Sequence, residues 1–235
     1  MTDPAPPDET GAVRERYARR AADDPRYHPL QPDVWQSRLE RERVFLRWLA
    51  ALGWRDLDTR RATDVGCGSG GQLLDLLRLG FAPQHLTGLE LLPERHAAAR
   101  ERLPAAVTLW LGDACEAPVA PASQDLVLQS TVFSSLLDDA FQQRLADAMW
   151  RWVRPGGGVW WYDFTRDNPR NPDVRGVPVA RIRALFPQGT IRTWRVTLAP
   201  PLARAVCRGH PALYPAFNAL PWLRTHVLAW IGKPC

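Results

Sequence analysis

From residue 61 onward, short apolar runs alternate with longer stretches of mixed character. The runs fall near residues 61–65, 86–90, 107–111, 124–129, 157–164, 189–197 and 224–231, lengths that suit strands rather than helices. Between them, residues 71–79, 93–102, 139–152 and 178–185 read as helices, with Gly80 closing the first and Pro93 opening the second. Strand and helix in alternation predict βαβ units around a parallel sheet. The expected fold class is therefore α/β, doubly wound and seven-stranded, with a mostly parallel sheet.

Two helices precede this pattern. Residues 12–22 are short and charged, with Val13, Tyr17 and Arg20 on one face; residues 33–52 start at Asp33 as N-cap and stop at Gly53. The second helix repeats Trp35, Leu39, Phe45, Trp48, Leu49 and Leu52 near helical spacing. The opening segment, 1–11, has the Pro, Asp, Thr and Gly content of a disordered tail. Residues 1–53 are thus expected to be a tail and a helical lid, and 54–235 the main domain. Prolines 200, 201, 211, 215 and 221 mark an insertion at about 200–222, expected to be a helical excursion above the sheet before the last strand.

Composition narrows the class. The 235 residues, 46% hydrophobic and 23% charged, fill one core and exclude a collagen-like, wholly disordered or disulfide-scaffold chain. The longest apolar stretches, 159–162 and 227–231, are far shorter than the roughly 18 to 20 residues of a membrane span. An acidic, proline-rich start lacks the features of a secretory or transit signal, so the cytoplasm is the expected location. Cys67, Cys115, Cys207 and Cys235 form no C-x-x-C pair and read as free thiols. From Thr165 onward ten arginines and Lys233 face only Asp167 and Asp173, whereas the earlier residues carry more acid than base. The last third is therefore either directed at something anionic or a solvated basic face.

The informative element is Asp64-Val65-Gly66-Cys67-Gly68-Ser69-Gly70-Gly71, where the first strand runs into the first helix of the alternating region. Glycines here let the backbone turn tightly and approach a nucleotide-like ligand. Gly66, Gly68 and Gly71 satisfy G-x-G-x-x-G, so a nicotinamide dinucleotide loop is the first rival. Asp64 argues against it, because a carboxylate at that place repels a pyrophosphate. Glu90, twenty residues after Gly70, ends the second strand in position to accept hydrogen bonds from ribose hydroxyls. Gly112-Asp113-Ala114 closes the third strand with a carboxylate able to accept from an adenine amino group.

With these motifs in order from about Thr63 to Asp163, the sequence resembles the class I S-adenosylmethionine-dependent methyltransferases. The resemblance implies a Rossmann-like methyltransferase sheet and S-adenosyl-L-methionine as cofactor. It places Gly66, Cys67, Gly68 and Gly70 along the methionine part, Glu90 with Leu91 at the ribose, Asp113 with Ala114 at the adenine, and Gln129 beside the reacting methyl group. Tyr17 is expected to close over the cofactor. Many enzymes of this class acting on base or amide nitrogen carry Asn or Asp, Pro-Pro and an aromatic after the fourth strand. Here the residues are Gln129-Ser130-Thr131-Val132-Phe133, which disfavours nitrogen methylation of nucleic acid or protein.

The polar stretch from Tyr162 to Gly176 follows the fifth strand at the edge where such sheets bind ligands. Together with Arg224-Thr225-His226 it resembles small bacterial methyltransferases of polysaccharide assembly. The expected reaction is O-methylation of a sugar hydroxyl on a glycan or glycan precursor, with a natural-product hydroxyl or a non-catalytic cofactor-fold module as alternatives. Asp163 is the first candidate general base, with Asp167 or His210 in reserve; a structural role for Asp163, capping the following loop, stands equally beside it. No metal is required by the pattern, although Asp163, Asp167 and Asn168 could hold magnesium. The acceptor is expected to be a small molecule or glycan, anionic or lipid-linked, and nucleic acid is not an expected partner. Leu213, Tyr214, Phe217, Leu220, Trp222 and Leu223, near Arg204, Arg208 and Arg224, either pack on the sheet or form a substrate lid or peripheral membrane contact. Packing is the first expectation.

Overall fold

A computed structural model of the chain describes residues 8–19, 25–169 and 171–235. Strands β1 (Ala62–Val65), β2 (Leu86–Glu90), β3 (Thr108–Leu111), β4 (Gln124–Ser130), β5 (Val153–Phe164), β6 (Thr190–Leu198) and β7 (Arg224–Gly232) form one sheet in the order β3-β2-β1-β4-β5-β7-β6. β1 to β5 are parallel, and β7 lies antiparallel between β5 and β6. The doubly wound, seven-stranded, mostly parallel sheet is thus the one the alternation predicts. The strand order reverses between β1 and β4, which makes their carboxyl ends the switch point of the sheet.

Around the sheet lie α1 (Glu9–Ala18), α2 (Pro32–Ala51), α3 (Gly71–Leu79), α4 (Pro93–Arg102), α5 (Asp139–Trp152) and α6 (Val179–Leu185). Alternation along β5 sends Val159 and Trp161 to one face and Trp160 and Tyr162 to the other. The first face is covered by α5, α6 and Val13 of α1; the second by α2 and α3, through Phe45, Trp48, Leu49, Leu73 and Leu76. Gly158 allows this crossing, because a Cβ there would sit 2.5 Å from the Trp230 ring.

Several boundaries differ from expectation. β5 begins at Val153 rather than 157, since Val153 already pairs with Gln124 of β4 and the register shifts before pairing resumes at Gly158. α2 starts at Pro32 with Gln31 as N-cap, and Asp33 sits buried inside the first turn. Trp35 and Leu39 are exposed, because only the later half of α2 lies on the sheet. α1 starts at Glu9, capped by Asp8, whose side chain accepts from Thr10 N. The opening of the predicted tail, the predicted helix end at Ala22 and Arg20 lie outside the described residues.

The insertion folds as α7 (Pro200–Gly209), α8 (Leu213–Asn218) and a 3₁₀ turn at Pro221–Leu223. Its apolar residues correct the packing expectation. Tyr214 is 1% exposed and Leu223 is half-buried, but Leu213, Phe217, Leu220 and Trp222 face outward. Tyr214 packs with Ala203 and Cys207 of α7 against Leu198, while the outward residues have no surface left to cover. Among the described residues no helix is long and apolar enough to cross a membrane, and all four cysteines are free.

Candidate functional site

At the switch point the chain leaves β1 through three left-handed glycines, Gly66 (φ 65°), Gly68 (φ 56°) and Gly70 (φ 83°). Gly66 is further constrained, because a Cβ would come 2.5 Å from Val132 Cγ2. The opposing loop after β4 contains Thr131 in the same left-handed region (φ 57°), uncommon for a threonine. It is held there by its N–H donating to Tyr162 O at 2.8 Å and by the Ser134 and Ser135 hydroxyls donating to its carbonyl.

These loops border a cavity of about 130 Å³. Gly66, Glu90, Leu91, Asp113, Ala114 and Tyr17, all singled out in the sequence, line it. Glu90 is 5% exposed; its Oε2 accepts from Gly68 N at 2.7 Å and its Oε1 from Leu92 N at 2.9 Å. The carboxylate thereby fastens the glycine loop to the end of β2. Asp113 accepts from Cys115 N at 2.8 Å and caps a 3₁₀ turn that presents Ala114. Apolar walls come from Leu136, Phe141 and Leu145.

Other cavity residues are given no ligand role by the sequence pattern. Thr10 and Val13 come from α1, Arg95 from α4, and Thr131, Val132 and Ser135 from the loop after β4. Tyr17 OH lies 3.2 Å from Ser135 Oγ, and Arg95 sits over the Tyr17 ring at 4.6 Å. Arg16 donates to Glu9 and to Ser135 O, and Glu9 accepts from Leu137 N. α1 is thus one wall of the cavity, whereas α2 belongs to the core layer. The expectation that Tyr17 closes over the cofactor is what points to α1 in the sequence.

Several candidates do not reach the cavity lining. Gly68 and Gly70 shape the loop from behind. Cys67 is buried toward Gly88, and burial together with Asp64 and Glu90 pushes its thiol pKa up. Asp64 is fully buried and accepts from Gln72 at 3.0 Å. Desolvation and, second, the charge of Glu90 raise its carboxyl pKa well above the ordinary range. Gln129 donates to Tyr162 O and accepts from Val132 N, making it a clamp on the loop.

The three base candidates are not brought together. Asp163 is fully buried, accepting from Ser134 N at 3.1 Å and Phe164 N at 2.9 Å, so its carboxyl ties the loop after β4 to the end of β5. Burial raises its pKa to about 7 against the pull of those bonds. Asp167 lines a separate recess and accepts from Gly176 N. His210 is exposed at the end of α7 and accepts from Ala212 N. His226 stacks on Tyr162 at 5.1 Å, outside the cavity lining. Among the described residues no group of three or more His, Cys, Asp or Glu is placed to hold a metal.

The sheet, its switch point and the carboxylates gathered there define a class I methyltransferase fold. Within it, residues 62–157 match the family described as methyltransferase domain. No curated protein matches the sequence. Among solved structures, the 1,6-didemethyltoxoflavin N1-methyltransferase of Burkholderia thailandensis is 20% identical, with 99% of this chain and 93% of that one covered, at a TM-score of 0.63. The geranyl diphosphate C-methyltransferase of Streptomyces coelicolor is 14% identical over 98% of both chains, at 0.64. An S-adenosylmethionine-dependent methyltransferase of Mesorhizobium loti is 16% identical over 79% of this chain and 96% of that one, at 0.59. Likeness at these identities is one of fold.

Proposed function

We propose that the protein is an S-adenosyl-L-methionine-dependent methyltransferase. The observation that carries the reading is the convergence of Glu90 and Asp113 on one cavity across the switch point from Gly66 and Thr131. A carboxylate pair suits ribose hydroxyls and an adenine amino group, and Leu91, Leu136 and Phe141 suit the faces of a purine. Gly66, left-handed and without room for a Cβ beside Val132, brings the bare loop backbone to the cavity wall, so the residues fit the cofactor. When bound, the cofactor supplies an electrophilic methyl group on a sulfonium. Tyr17 and Arg95 cover the cavity and limit water there, while Thr131, held in its left-handed conformation, fixes the loop nearest the acceptor. Two neighbours, the Burkholderia and Streptomyces enzymes, also carry S-adenosylhomocysteine in their structures.

For the acceptor, the proposal is a hydroxyl oxygen, foremost a sugar hydroxyl of a glycan or glycan precursor in the cytoplasm. Support comes from Gln129–Phe133, which lacks the proline pair associated with nitrogen acceptors, and from the polar ground beyond β5, where Thr165, Arg166 and Asp167 offer hydrogen-bonding partners to a polyol. The named neighbours act on nitrogen and carbon, so the acceptor atom is the point to test. Calorimetry with S-adenosylhomocysteine and NADH, followed by mass spectrometry of candidate sugars, decides it. Binding of the first ligand and a gain of one methyl are expected. Binding of NADH instead would make the protein an oxidoreductase, and cofactor binding without transfer to any hydroxyl would remove the O-methylation reading.

A further inference from the structure

An open recess of about 560 Å³ adjoins the carboxyl end of β5, lined in part by Thr165, Arg166, Asp167, Arg175, Arg181 and Asp139. The first turn of α5 and the loop before it form a partition: Leu136 and Phe141 line the cofactor cavity, Asp139 and Gln142 the recess. We propose that this recess binds a phosphate group carried by the methyl acceptor, an inference that rests on the methyltransferase reading.

Two of the arginines are positioned through that shared partition. Arg181 donates through Nε to Gln142 Oε1 at 3.0 Å and through its terminal nitrogen to Asp139 O at 3.0 Å. Gln142, itself 1% exposed, donates to Phe133 O and Leu136 O. Arg175 N donates to Ser134 O at 2.8 Å, and its guanidinium pairs with Asp139. Arg166 has no acidic partner among the described residues and is exposed.

Charge selects the ligand. Asp167 already accepts from Gly176 N at 2.8 Å, and Asp139, with its side chain 64% exposed, is the one carboxylate among the described residues that pairs with the recess arginines. An exposed pair of this kind is weak and exchangeable. A ligand carboxylate would offer the guanidinium groups only what Asp139 already gives. A phosphate monoester carries roughly −1.5 to −2 charges at neutral pH and three acceptor oxygens, enough to draw on three guanidinium groups at once.

The test titrates the full-length protein, saturated with S-adenosylhomocysteine, with inorganic phosphate and with glucose 1-phosphate, then with vesicles of phosphatidylcholine doped with phosphatidic acid. Arg166→Gln and the Arg166→Gln/Arg175→Gln pair are compared with wild type. Arg166 makes no ion pair within the described residues, so its replacement leaves the fold intact. The expected result is about a tenfold loss of phosphate affinity in the single variant and more in the double, with S-adenosylhomocysteine affinity unchanged. Arginine-dependent binding of the soluble ligands assigns the phosphate to a free sugar phosphate; arginine-dependent binding of vesicles alone assigns it to a lipid-borne one. Phosphate affinity equal in wild type and double variant, or absent from both in every format, overturns the inference. Failure to bind S-adenosylhomocysteine, with phosphate binding still arginine-dependent, would overturn the methyltransferase reading and leave the phosphate site standing.

Discussion

The Arg95 guanidinium lies over the Tyr17 ring, 4.6 Å from its centroid, and joins α4 to α1 at the wall of the cavity. With Tyr17 OH 3.2 Å from Ser135 Oγ, one side chain touches both neighbouring walls. Tyr17→Ala is expected to weaken S-adenosylhomocysteine binding about tenfold, combining a cation–π contact and a hydrogen bond. A double-mutant cycle with Arg95→Ala should show a coupling of about 1 kcal/mol. Calorimetric affinities that stay level in both single variants would reduce α1 to a cover without a grip on the cofactor.

Glu90 has two tasks. Its oxygens accept from Gly68 N and Leu92 N, so the residue shapes the loop as well as facing the cavity. Glu90→Ala removes a buried acceptor from two backbone donors and should lower stability by about 1 to 3 kcal/mol in addition to weakening the cofactor. Glu90→Gln keeps an oxygen and the side-chain volume. It should retain most of the stability while losing about tenfold in affinity for S-adenosylhomocysteine. Parallel denaturation and calorimetry check this; equal affinity of Glu90→Gln and wild type would take the carboxylate out of ligand binding.

Asp163 should make stability depend on pH. Its carboxyl titrates near 4 in an unfolded chain and is raised to about 7 by burial in the folded one. Between those values the folded state holds a proton that the unfolded state has released, so stability falls as pH rises through the window and levels off above it. A gap of roughly 3 pH units corresponds to about 4 kcal/mol. Asp163→Asn cannot ionise and should lack this fall. Denaturation of both proteins near pH 5 and near pH 8 is the check, and a wild-type-to-variant difference that does not change with pH would contradict it. Turnover of the variant should drop by less than about tenfold, since the carboxyl grips Ser134 N rather than facing the cavity. A loss of a hundredfold or more would return Asp163 to the role of general base.

What could be read from the chain was whatever depends on neighbouring residues. Apolar runs locate β1, β2 and β4 because a strand buried on both faces needs little beyond its own length and composition. The glycine loop, Glu90 and Asp113 sit at strand ends, so their spacing follows from strand and helix lengths alone. Thr10 and Arg95 were invisible because α1 and α4 meet only through the docked fold. Gln129 and Asp163 carry a structural role that spacing does not show. Polar residues at the carboxyl ends of strands look catalytic, yet in this chain their side chains satisfy the backbone of the tight turn at Thr131–Ser134. The outward Trp222 and Phe217 show the same limit from the other side, since spacing cannot tell whether a partner surface exists.

The insertion hangs on one acid. Glu40 of α2, 8% exposed, accepts from Thr197 N at 3.0 Å, Tyr214 OH at 3.3 Å and Asn218 Nδ2 at 2.7 Å. Those donors belong to the end of β6 and to α8, so a single carboxylate gathers the root and the far helix of the excursion. Thr197, left-handed at φ 63°, depends on the same bond to keep its conformation. Tyr214 OH in turn accepts from Leu198 N at 3.2 Å. Glu40→Leu would leave three buried donors without an acceptor, at a cost of at least about 2 kcal/mol. The loss should be local, because α7 and α8 touch the sheet mainly through β6, while Gly66, Glu90 and Asp113 lie across the switch point. Hydrogen exchange should therefore accelerate through residues 197–223 and stay slow in β1 and β4, with S-adenosylhomocysteine affinity within about twofold of wild type. Acceleration spread evenly over the sheet would show that Glu40 supports the whole core and is not a tether for the insertion.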